Sequence, residues 1–192
     1  MQNENAQKLE GKNIVMGVCS SIAVYKAAEI VSALKKLGAG VTVVMTENAC
    51  RLMSPRVFQT LSRNPVYTTM WEHVENWKPE HISLAEAADL LLVAPATANA
   101  IGNFASGVAP DMLSTLFLAL DPSKVLIAPA MNCGMYAHPA VQKNMGVLKS
   151  FGVEFIDPDS GVLACGTEGK GRLADINKIV EAAAAKIGGL SK

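Results

Sequence analysis

Short apolar runs alternate with stretches of helical period from residue 13 onward. The runs at 13–18, 41–45, 90–94, 125–128 and 153–156 are β-rich and end in polar or proline-containing loops, which reads as five buried strands. Between them, 22–37 places Ile22, Tyr25, Lys26, Glu29, Ile30, Ala33 and Leu37 at a helical period, and Gly38 ends it. Thr46 is an N-cap signal for a helix over 47–52, and Ser54 followed by Pro55 opens another to about Ser62. Further helical stretches are predicted at 82–88, from the PATANA segment to Ser106, and over 111–120, 138–151 and 175–187. The segment 64–80, with two prolines and two tryptophans, has no regular period, and 157–171 reads as a loop dense in glycine and charge.

Five strands alternating with helices predict one domain: a three-layer α/β/α sandwich of the Rossmann/flavodoxin-like kind with a largely parallel sheet. The domain is expected over 13–188, with a disordered tail over 1–12. The loops GVCSS, MTENA, PATAN, PAMN and IDPDSG each follow a predicted strand, so they converge on one edge of the sheet, where open α/β sheets bind ligands. The stretch VLIAPAMNCGMY stands out. A strand expected to stop at Pro129 opens into a loop that offers the amide of Asn132 among Met131, Cys133 and Met135.

Composition narrows the function classes. Hydrophobic residues make up 50% of the 192 and charged residues 18%, with 17 basic against 17 acidic side chains, which lacks the basic excess of a nucleic-acid binder. An apolar, weakly charged surface predicts a homo-oligomer. The cysteines at 19, 50, 133 and 165 have no metal-ligand spacing and read as reduced thiols, so no metal is expected and a cytoplasmic location is. No apolar run reaches the length of a membrane span, and the polar start lacks a signal-peptide core.

Each candidate residue has a plain structural reading beside the chemical one. Ser20 and Ser21, where the first strand meets the first helix, either cap that helix or hold a phosphate; without Gly-x-Gly-x-x-Gly or a Walker lysine, a mononucleotide fits better than a dinucleotide. Thr97 and Asn99 offer the same choice at the next helix, and Asp111 either caps or binds a ribityl or ribose hydroxyl. His81 is either a capping residue or a general base; His73 and His138 carry less signal. Cys165 lies in ACGTEGKGRL, near Lys170 and Arg172, either as a small packed residue or as a thiol on a mobile loop.

Five stretches taken together resemble the flavin-dependent cysteine decarboxylases: GVCSSIAVYK at 17–26, HISLA at 81–85, PATAN at 95–99, PAMNCGMY at 129–136 and SGVLACGTEGKGRL at 160–173. The likeness spans about residues 12–185. It implies FMN as cofactor and decarboxylation of 4′-phospho-N-pantothenoylcysteine through thiol oxidation to a thioaldehyde, loss of carbon dioxide and re-reduction. By that resemblance His81 is the base or positioning group, Asn132 holds the substrate carboxylate and Cys165, on a closing flap, donates a proton. Gly17, Ser20, Ser21, Ile22, Thr46, Phe58, Thr97, Ala98, Asn99, Asp111 and Met131 become flavin-site candidates, Met135 part of the substrate wall, and Lys170 or Arg172 the contact for substrate phosphate. The resemblance also implies a homotrimer whose site forms between protomers. The sequence departs from the family at Cys19, where Thr or Ser is common, at Ser20, often Gly, and at Tyr136, a tryptophan in some relatives. Bifunctional members continue into a second, ligating domain beyond the point where this sequence stops. Rival implications are a decarboxylase of peptides ending in cysteine and a non-catalytic flavin-binding regulator.

Overall fold

The structure, a computed structural model, describes residues 8–71, 78–162, 166 and 168–190. Six strands form one parallel sheet: β1 (Asn13–Val18), β2 (Gly40–Met45), β3 (Val66–Tyr67), β4 (Leu90–Ala96), β5 (Val125–Pro129) and β6 (Glu154–Phe155), in the order β3-β2-β1-β4-β5-β6. The central strands are apolar at every other position on both faces, as a sheet covered twice requires. Ile14, Met16, Val18, Val41, Val43, Met45, Leu90, Leu92 and Leu126 face one core. Helices α1 (Val24–Lys36), α3 (Pro55–Ser62) and α9 (Ile176–Leu190) close that side. Val15, Val44, Leu91, Val93, Val125 and Ile127 face the other, under α4 (Glu80–Ala87), α5 (Ala98–Ser106), α6 (Met112–Ala119) and α8 (Pro139–Ser150). Two short helices, α2 (Glu47–Leu52) and α7 (Cys133–Ala137), follow β2 and β5.

The three-layer α/β/α sandwich is as expected, with differences of local cause. A sixth strand, β3, falls in the segment read as irregular; at two residues it is too short to show a period. β4 runs through Pro95, the residue expected to stop it, with the Ala94–Pro95 peptide cis, whereas β5 ends at Pro129, which still pairs with Ala96. A proline lacks only the donor, and the Pro95 carbonyl still accepts from Cys19 N at 3.1 Å. The segment read as a loop contains an antiparallel pair, β7 (Asp159–Val162) and β8 (Glu168–Arg172). Ahead of β1, Leu9 is buried and its N–H donates to Leu37 O at 2.9 Å, so ordered chain begins before residue 13. Residues 1–7 of the expected tail lie outside the described residues.

Candidate functional site

Because β1 leads to β2 and β3 in one direction while β4, β5 and β6 extend in the other, the chain reverses direction between β1 and β4, and a crevice opens beyond their C-terminal ends. Backbone hydrogen bonds carry the sheet past the strands at this edge: Thr46 N to Val18 O (3.1 Å), Cys19 N to Pro95 O (3.1 Å), Ala130 N to Ala96 O (2.9 Å) and Met131 N to Gly171 O (2.9 Å). The loops at the site are therefore seated on backbone, not only on side chains. They enclose a cleft of about 640 Å³.

Four segments line it. The loop after β1 and the first turn of α1 contribute Ser20, Ser21, Ile22, Ala23, Tyr25 and Lys26; the start of α5 contributes Thr97 and Ala98; the loop after β5 gives Ala130, Met131, Asn132 and Met135; and β8 with the residue after it gives Gly171, Arg172 and Leu173. The expected Ser20, Ser21, Ile22, Thr97, Ala98, Met131, Asn132, Met135 and Arg172 thus meet in one place. Ala23, Tyr25, Lys26, Ala130, Gly171 and Leu173 are added by the fold.

The local geometry explains the polar groups. Asn132 Oδ1 accepts from Gly134 N at 2.8 Å and caps α7, which fixes the plane of the amide and leaves Nδ2 as its donor end. Thr97 Oγ1 caps α5 through Ala100 N at 3.3 Å. At α1 the N-cap is Ala23, which makes no side-chain cap, and the first turn holds no acid; Ser21 Oγ accepts from Ala23 N at 3.3 Å just ahead of it. Cys19 is buried behind this loop, and burial, opposed by hydrogen bonds from Thr97, pushes its thiol up to about 12, so it stays protonated at neutral pH.

Gly169 and Gly171 allow β8 to lie against the Asn132 loop. A Cβ on Gly169 would stand 2.8 Å from Cys133 Cβ, and one on Gly171 2.3 Å from Met131 O. Pairing steps from Asp159 with Arg172 to Ser160 with Lys170, so Gly171 is an extra residue in β8 and the two cations lose their common face. Lys170 turns to Asp157, 3.3 Å away, and over the Tyr136 ring at 5.7 Å. Arg172 lines the cleft.

Other expected residues stand outside it. Gly17 lies within β1, where a Cβ would meet Leu113 Cδ1 at 2.6 Å. Thr46 caps α2, Phe58 is wholly buried in the core, and Asn99 is exposed on α5. Asp111 forms a capping box with Ser114, its Oδ1 accepting from Ser114 N at 2.8 Å. His81 is half-buried in the first turn of α4, on the same edge of the sheet but not in the cleft wall. His138 Nδ1 caps α8. Cys165 and His73 lie outside the described residues. Among the described residues no His, Cys, Asp and Glu cluster could hold a metal, and no helix is long and apolar enough to cross a membrane.

The flavoprotein family profile matches residues 2–188. A probable phosphopantothenoylcysteine decarboxylase of Streptococcus mutans is 44% identical over 172 residues, 88% of this chain and 96% of the relative. The chain belongs to the flavoprotein family of phosphopantothenoylcysteine decarboxylases. The bifunctional coenzyme A biosynthesis protein CoaBC of Bacillus subtilis is 50% identical over 91% of this chain but 43% of its own length, so the chain spans less than half of that relative. Among solved structures, a PPC decarboxylase variant complexed with pantothenoylaminoethenethiol is similar at a TM-score of 0.82 and 25% identity, covering 91% of this chain and 97% of that one. The cofactor class of the family is a flavin.

Proposed function

We propose that the protein is an FMN-dependent decarboxylase that converts 4′-phospho-N-pantothenoylcysteine to 4′-phosphopantetheine in coenzyme A biosynthesis. The observation that carries this reading is the cleft itself: the Asn132 amide, the Met131 and Met135 side chains and the serine-bearing approach to α1 meet at the switch point of the sheet. The donor set suits FMN. Ser20, Ser21 and Thr97 bring hydroxyls beside two helix starts where a phosphate is favoured, and the small Ala98 and Ala130 beside Met131 offer an apolar slot for a flat ring. FMN bound there supplies a reversible two-electron sink, which an N-acyl cysteine lacks.

The chain's own side chains position and protonate. Asn132, locked by its cap, presents its Nδ2 to the substrate carboxylate and holds it in one orientation, so binding is used on geometry. Met131 and Met135 form the apolar wall beside it. Cys165, between β7 and β8 in sequence, is assigned the proton for the final reduced product, and His81 the proton transfers of thiol oxidation.

His81 stands outside its own chain's cleft, while Ile22, Tyr25 and Met135 expose large apolar surface at the cleft rim. Both features support assembly between protomers; in this reading the assembly is the cytoplasmic trimer that the family resemblance implies, in which His81 of one protomer serves the cleft of the next. The test compares kcat/KM for carbon dioxide release from phosphopantothenoylcysteine and from a peptide ending in cysteine. The reading expects the phosphorylated small molecule to be preferred by orders of magnitude; preference for the peptide would overturn it.

A further inference from the structure

Among the described residues the cleft wall carries two cations, Lys26 from α1 and Arg172 from β8, and neither Asp nor Glu. Among the described residues neither cation makes an ion pair or a side-chain hydrogen bond. The surroundings are otherwise neutralised. Lys170, two residues from Arg172, is held by Asp157, and Asp159, whose charge Arg172 feels, is already engaged by Lys178 Nζ at 2.8 Å and Asp175 N at 3.0 Å.

Lys26 is also at the wrong end of its helix for a cation. It occupies the third position of α1, where the helix dipole is positive, no acid stands in the first turn and no side chain caps the N-terminus. Dipole, ammonium and guanidinium therefore add to one positive field in a partly enclosed, largely apolar cleft, where screening by water is weak. A single negative charge leaves one cation unmatched; a phosphate monoester, with nearly two negative charges and three acceptor oxygens, matches both.

We propose that Lys26 and Arg172 form a two-cation clamp that binds one phosphate monoester dianion in the cleft. The name of the ligand rests on the decarboxylase reading, in which both cofactor and substrate carry such a group; the pairing of the two side chains does not. The family resemblance offers Lys170 or Arg172 for a substrate phosphate, and the extra residue at Gly171 is what separates the two.

Equilibrium binding tests the clamp without turnover. Titrations on wild type, Lys26→Met, Arg172→Met and the charge-retaining Lys26→Arg compare FMN with riboflavin by fluorescence quenching. They then compare 4′-phosphopantetheine with pantetheine on the flavin-loaded protein by calorimetry. The clamp predicts that one of the two pairs shows a phosphate preference that falls about tenfold or more on loss of either cation and is restored in Lys26→Arg. Loss of the FMN preference assigns the clamp to the cofactor, and loss of the phosphopantetheine preference assigns it to the substrate. Phosphate preferences unchanged in both variants, or changed in only one of them, would overturn it. A protein that shows the clamp yet releases no carbon dioxide from phosphopantothenoylcysteine refutes the decarboxylase reading and leaves the clamp standing.

Discussion

Replacing Gly171 with alanine tests whether β8 is a fitted wall of the cleft. At this position φ is +153°, a backbone conformation that costs an L side chain about 1–3 kcal/mol. The added Cβ would also stand 2.3 Å from Met131 O and 3.3 Å from Asn132 C, so strand and loop must part; forced overpacking costs about 1–3 kcal/mol. Parting them strains the 2.9 Å bond from Met131 N to Gly171 O, worth about 0.5–1.5 kcal/mol. Gly161 provides the control. Its φ is +152°, but among the described residues a Cβ there meets only Arg172 Nη1, at an ordinary 3.7 Å. Gly161→Ala thus carries the backbone cost alone, and Gly171→Ala is expected to be less stable by a further ~2 kcal/mol. Urea unfolding of both variants measures the difference, and flavin retention and turnover should fall only in Gly171→Ala. Equal stability of the two, with full activity in Gly171→Ala, would refute the claim that β8 is fitted to the Asn132 loop.

Four further outcomes follow from the same geometry. Asn132→Asp keeps an acceptor for Gly134 N but loses the amide donor, so it should retain fold and flavin while carbon dioxide release drops about 100-fold or more, measured beside Asn132→Ala, which loses the cap as well. In native protein at pH 8, alkylation mapped by mass spectrometry should reach the half-buried Cys50 and Cys133 but spare Cys19, of which only about one part in ten thousand is thiolate when the pKa is near 12. Glu154→Ala leaves the buried Lys186 ammonium without the carboxylate now 2.8 Å away, and should destabilise by about 1–3 kcal/mol in chemical denaturation. Asp159 is held below the usual carboxylate range by the hydrogen bond from Lys178, and Lys178 is raised by the same contact. Their contribution is therefore present between the two ranges, lost as pH falls through the lowered carboxyl and lost again as it rises through the raised amine; the unfolding midpoint of Asp159→Asn should differ from wild type near pH 7 and converge with it in acid.

Much of the fold was legible because the central strands carry apolar side chains on both faces. Leu90 to Ala94 and Val125 to Ala128 have no other plausible place than a sheet covered twice, and the loops that follow them had to share one edge. What escaped was structure held by tertiary contact. Val66 and Tyr67 pair only because Val43 and Val44 are beside them, and the strands at Asp159 and Glu168 are built of glycine and charge without alternation. At the cleft, the strand-end serines, Thr97 and Asn132 could be read from their places after strands. Lys26 could not: along the helix it looks like one more solvated charge, and only the packing of α1 beside the β5 and β8 loops brings it into the cleft. Lys170 is the opposite case, near Arg172 in sequence but turned toward Asp157 by one extra residue.

The most direct test of the proposed function is the mass of phosphopantothenoylcysteine after incubation with the purified, FMN-loaded protein. The account predicts loss of one carbon dioxide, giving 4′-phosphopantetheine in catalytic amount. An unchanged substrate, with flavin demonstrably bound, would contradict it.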